Sequence, residues 1–120
     1  MLGHKLLQCW RGKFDVRATI RAAEASRYLE AGLFESNEVI SSVEVEHIDS
    51  VRSAVEKFQP AAILNCVGVI KQIPDSKNVV KSLTVNAIFP HRLAEIAEKI
   101  NARLITISTD CVFSGRKGNY

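Results

Sequence analysis

Leu104-Ile105-Thr106-Ile107-Ser108-Thr109-Asp110-Cys111-Val112-Phe113-Ser114-Gly115 is the stretch on which the fold turns. Its apolar, β-branched start reads as a buried parallel strand, and that strand empties directly into Ser-Thr-Asp. In an open α/β sheet, ligands lie in the crevice outside the carboxyl ends of the strands. Hydroxyls at Ser108 and Thr109 are then placed to hydrogen-bond a carbonyl oxygen as its charge changes. Taken alone, Ser108, Thr109 and Asp110 read equally well as the start of a turn.

The segments upstream choose between these readings. Leu2, Leu6, Leu7 and Trp10 recur at helical spacing, and Gly12 closes that helix. Residues 14–20 alternate and are rich in β-branched residues, which predicts a strand. Ala22 to Ala31 predicts a short helix ended by Gly32. Val39, Ile40, Val43 and Val45 predict a strand within Glu38 to Val45. Asp49 or Ser50 can cap a helix carrying Val51, Ala54, Val55 and Phe58, with Pro60 ending it. Residues 61–67 are a short apolar strand followed by Gly68. A long amphipathic helix extends from about Val79 to Ile100, started or kinked at Pro90.

Helices and strands therefore alternate, beginning with a helix. This is a βαβ series without its first strand, and it predicts an α/β fold with a doubly wound parallel sheet. In that topology the absent strand is central, between the strands at Phe14 and Ile63. The chain accordingly reads as an internal part of a longer protein, lacking its first strand and its C-terminal part.

Composition excludes several functions. The chain has 120 residues, 47% hydrophobic and 24% charged, which suits one globular domain at most. The formal charge of +3 comes without a basic block, so no nucleic-acid partner is expected. There is no apolar run of membrane-spanning length and no signal-peptide pattern, so the expectation is a cytoplasmic protein without a membrane partner. Cys9, Cys66 and Cys111 are widely spaced and odd in number, which speaks against a disulfide framework or a metal site. His4, His47 and His91 share no spacing and read as surface or helix residues.

Four segments carry a family resemblance. Met1-Leu2-Gly3-His4 resembles the tail of the glycine-rich dinucleotide fingerprint of extended short-chain dehydrogenase/reductases. Asn65-Cys66-Val67-Gly68 resembles their Asn-x-Ala-Gly or Asn-x-Ala-Ala turn after the fourth strand. Val85-Asn86-Ala87 resembles the Val-Asn of the next helix. Residues 108–115 are close to the Ser-Thr-Asp-Tyr-Val-Phe-Asp-Gly signature of dTDP-4-dehydrorhamnose reductases. The resemblance covers essentially the whole chain, in order. It implies that residues 1–120 are a partial Rossmann-type NAD(P)-binding domain without the substrate domain. The implied activity, in the parent protein, is NADP(H)-dependent reduction of a keto-sugar nucleotide. A nucleotide-sugar epimerase or dehydratase of the same family, or a non-catalytic regulatory subunit, is the alternative, and a homodimer of the parent stays open.

Residue by residue, the resemblance gives Met1, Leu2 and Gly3 to the cofactor pyrophosphate at a helix start. Arg21 falls about twenty residues on, where an NAD enzyme presents an acid to the ribose. An Arg there suits the 2′-phosphate of NADP(H), with NAD(H) the alternative cofactor and Arg17 a rival donor. Glu44 and Val45 match the position that meets adenine, although the family more often has Asp at Glu44. Cys66, Val67, Gly68 and Ile107 would line the nicotinamide riboside. Ile70, Lys71 and Gln72 could face substrate, and an exposed loop explains them equally well. Asn65 and Asn86 read as braces of strand–loop junctions. Thr109, with Ser108 beside it, matches the catalytic hydroxyl. The Tyr-x-x-x-Lys pair that completes the set lies beyond Tyr120, so the chain alone is expected to be inactive.

Overall fold

The computed structural model describes residues 2–70, 77–109, 116 and 118. Helix α1 is Leu2–Trp10, and the chain leaves it through Gly12 at a φ of 76°, a left-handed turn that glycine adopts without strain. Strand β1 is Ala18–Thr19 and helix α2 is Ser26–Glu30. A 3₁₀ turn at Ser36–Glu38 leads into β2, Val39–Ile40. Helix α3 is Ile48–Phe58 and β3 is Ala62–Asn65. Helix α4, Val79–Leu83, passes through a π-helical turn at Thr84–Ile88 into α5, Phe89–Lys99, and β4 is Arg103–Thr106.

All pairing is parallel, as a βαβ series requires. Ala18 and Thr19 pair with Val39 and Ile40, and residues 62–65 pair in register with residues 103–106. The strands form two separate two-stranded ladders, β1–β2 and β3–β4, where a single sheet is expected from the sequence.

The ladders share one apolar floor. Val51, Ala54 and Val55 of α3 meet Phe89, Leu93 and Ile96 of α5, with Val43 in the same cluster. Ile40 of β2 packs on it from one ladder, and Ile63 and Leu104 pack on it from the other. The 3.6-residue spacing of these apolar positions along α3 and α5 is what turns one helical face onto the strands.

The first two strands are shorter than the sequence pattern predicts. Arg17 turns back to bond the Asp15 carboxylate and the Val16 carbonyl, and Phe14 sets its ring edge-on against Trp10. Only two residues of that segment then remain in the ladder. At β2, Glu38 is drawn into the 3₁₀ turn and Ser42 takes a φ of 59°, which ends the extended backbone early. Helix α3 begins before both expected caps. The Ser50 hydroxyl accepts from the Glu44 N–H at 2.9 Å and donates toward the carbonyls of Glu44 and His47. Pro90 sits where the π-helical turn passes into α5, at the kink point the sequence suggests.

Candidate functional site

Helix α1 spans the two ladders. At its first turn, a Cβ built on Gly3 would lie 3.7 Å from the Cys66 Cβ, just past the carboxyl end of β3. At its other end Arg11 holds Glu38, immediately before β2, in a two-pronged pair: Nε to Oε1 at 2.8 Å and a terminal nitrogen to Oε2 at 2.7 Å. The Glu35 N–H adds a third bond to the same carboxylate. Arg11's hydrogen bonds hold the buried Glu38 carboxyl below its ordinary range against the opposing cost of burial. Twenty-seven residues separate this pair, and nothing in the local pattern announces it.

The turn after β3 is fixed by two asparagines. Asn65, only 3% exposed, accepts the Val67 N–H on its own Oδ1 at 3.1 Å. Asn86 reaches in from the π-helical turn: its Oδ1 accepts the Val69 N–H at 2.8 Å and its Nδ2 donates to the Val69 carbonyl at 3.0 Å. Such turns recur at functional sites because the extra residue redirects a side chain. Sequence reading finds Asn86 but gives no sign of the π geometry that aims it. Gly68 lies under this brace, with Asn86 Oδ1 3.6 Å from where its Cβ would be.

Ile107 donates to the Asn65 carbonyl at 3.1 Å, closing the β3–β4 ladder, and Ser108 and Thr109 follow it, both exposed. One end of the fold thus brings together Leu2, Gly3, Cys66, Val67, Gly68, Ile107, Ser108 and Thr109. Burial pushes the Cys66 thiol up, so it packs as a thiol and is a poor nucleophile.

Arg21 and Glu44 sit past the carboxyl ends of the other ladder. Arg21 is exposed, and no hydrogen bond or ion pair engages it among the described residues. Its rival Arg17 precedes β1, lies over the Phe58 ring and is tied to Asp15. Glu44 pairs with His47 at 3.2 Å. Val45 packs its side chain against the helical floor. Met1, Lys71, Gln72 and residues 110–115 lie outside the described residues.

A separate open cavity of about 380 Å³ is lined by Arg17, Asn37, Val39, Ile40, Ser41, Lys57 and Phe58. Neither Ser108 nor Thr109 lines it. Among the described residues no cluster of His, Cys, Asp and Glu could hold a metal ion, and no helix is long and apolar enough to cross a membrane.

This arrangement has relatives among known proteins. The family model of the RmlD substrate binding domain matches residues 2–120. The chain belongs to that family. A dTDP-4-dehydrorhamnose reductase of Streptomyces griseus is 33% identical over 69 residues, which are 58% of this chain and 23% of that protein. The crystal structure of dTDP-4-dehydrorhamnose reductase from Bacillus anthracis str. Ames in complex with NADP is similar in fold. It matches with a TM-score of 0.58 at 23% identity, over 84% of this chain and 38% of the other. As an RmlD-family chain, this protein spans well under half the length of either relative.

Proposed function

We propose that this RmlD-family chain is the greater part of a cofactor-binding domain in an NADP(H)-dependent reductase of keto-sugar nucleotides, with a dTDP-4-dehydrohexose as substrate. One observation carries the reading: the Gly3, Cys66–Gly68 and Ser108–Thr109 segments meet at the carboxyl end of the β3–β4 ladder. The donor set fits the cofactor. Arg21 offers an unengaged guanidinium for a 2′-phosphate, and the first turn of α1 offers backbone amides for a pyrophosphate. When bound, the cofactor supplies the hydride chemistry.

The chain's own residues do the placing. Asn86 holds Val69 by both backbone groups, which fixes the height of Gly68 and lets a flat ring approach the backbone where no Cβ intervenes. The Thr109 hydroxyl, with Ser108 beside it, donates to the substrate carbonyl oxygen and grips it more strongly as negative charge develops. The proton must come from another group. Tyr28, on α2, has its hydroxyl on Arg27 and its ring on Phe34, and does not serve.

Titrating NADPH and NADH into the intact protein carrying this chain, before and after Arg21→Ala, tests the reading. A lost charge-assisted contact of about 1.5–3 kcal/mol weakens NADPH about ten- to a hundredfold and leaves NADH nearly unchanged. Equal weakening of both removes Arg21 from the 2′-phosphate. Failure of the wild type to oxidise NADPH with a dTDP-4-keto-sugar removes the activity.

A further inference from the structure

Helix α4 and the π-helical turn that continues it contact the segments following both ladders. Toward β3, Asn86 bonds both backbone groups of Val69, next to Gly68. Toward β2, the Lys81 ammonium meets the Glu46 carboxylate at 3.6 Å, with the two side chains 27% and 31% exposed. Residues five apart leave a helix on different faces, so one element can reach two neighbours. Lys81 is itself seated, because Asn78 caps α4 and its Oδ1 accepts the Lys81 N–H at 3.0 Å.

The turn that carries Glu46 is closed on itself. The His47 N–H bonds the Glu44 carbonyl at 3.0 Å, and the His47 ring pairs with the Glu44 carboxylate at 3.2 Å. The Ser50 hydroxyl bonds the Glu44 N–H at 2.9 Å. These contacts shape the turn without fixing where it stands against other elements. Val45 anchors it to the core cluster, an apolar contact with no directional preference. The Glu46–Lys81 pair adds a directed one.

We propose that Lys81 is a positioning residue for the adenosine half of the cofactor. Through Glu46 it sets the place of the Glu44–Val45 turn relative to the Gly68 turn, which the same helical segment holds by Asn86. The inference rests on the cofactor reading above and assigns a residue to it that neither motif nor spacing marks. A part-exposed ion pair acts modestly, about two- to fivefold in affinity, and salt screens it.

The test titrates NADPH and adenosine 2′,5′-bisphosphate, the adenosine half alone, into the intact protein carrying this chain, at low and high salt. Wild type is set beside Lys81→Met, Lys81→Arg and the exchanged pair Lys81→Glu with Glu46→Lys. At low salt Lys81→Met should weaken both ligands by the same factor, about two- to fivefold. Lys81→Arg and the exchanged pair should bind as wild type does, and the gap should close at high salt. Equal affinity of wild type and Lys81→Met for the bisphosphate overturns the proposal. So does a loss that neither Lys81→Arg nor the exchanged pair restores, or that persists at high salt, because the lysine would then act by packing. A wild type that binds neither ligand overturns the cofactor reading, and this inference with it.

Discussion

Replacing Asn86 with Ala removes the only side chain among the described residues seen to hold both backbone groups of Val69. The two bonds, at 2.8 and 3.0 Å, are solvent-accessible, so water takes over part of what is lost. At about 0.5–1.5 kcal/mol each, their joint loss lowers the cost of opening the Gly68–Ile70 segment by about 1–3 kcal/mol. The Val69 amide should then exchange about five- to a hundredfold faster. The Ile107 amide is the internal reference: it is bonded to the Asn65 carbonyl, not to Asn86, and should keep its rate. Asn86→Asp separates the two contacts. It keeps an acceptor for the Val69 N–H but sets a carboxylate oxygen against the Val69 carbonyl, so its effect should be intermediate. An unchanged Val69 rate in Asn86→Ala refutes the brace. Equal acceleration of Val69 and Ile107 would show general destabilisation and refute the local role.

Glu38→Gln should lower the melting temperature at neutral pH. The folded carboxyl titrates below its unfolded value of about 4.5, so its contribution is present above that pH and fades as pH falls through the folded value; the variant should lose this acid-side dependence in a series of melts. Cys9 is exposed and the Cys66 thiol is pushed up by burial, so a thiol-specific alkylating reagent followed by peptide mass analysis should label Cys9 well before Cys66. Gly68→Ala meets only ordinary contact with Asn86, so thermal melts should barely move while NADPH affinity in the intact protein falls. Equal loss of stability and affinity would make Gly68 a folding residue alone.

Element order and strand direction were readable from sequence because they follow from local periodicity. The apolar spacing of α3 and α5 and the β-branched runs at Ile63 and Leu104 survive in any tertiary context. Strand length was not so readable. Residues 14–17 lie outside β1, where Arg17 bonds Asp15 and Phe14 meets Trp10, and no local periodicity foretells either contact. The site was legible as residue types following strands, at Asn65–Gly68 and Ser108–Thr109. Its supports were less so. The Arg11–Glu38 pair joins positions with no common pattern, and the π-helical turn that aims Asn86 has no composition that separates it from ordinary helix. Val45 shows the limit of carrying a position over by motif, since its side chain packs against the core cluster.

The carboxyl ends of the two ladders differ in chemistry, and the difference orients a dinucleotide. The β1–β2 end carries charge: Arg21, unengaged among the described residues, and Glu44, paired with His47, both follow its strands, which suits the ribose phosphate and base on the proposed reading. The β3–β4 end among the described residues carries no full charge; Val67, Gly68, Ile107, Ser108 and Thr109 offer apolar surface, bare backbone and hydroxyls. On the proposed reading the hydroxyls of Ser108 and Thr109 act there as dipoles on the carbonyl oxygen. Helix α1 starts between these ends, against Cys66, with its first-turn amides available to the phosphates that link them. On the proposed reading the cofactor therefore lies with its adenosine toward β2 and its nicotinamide toward β4.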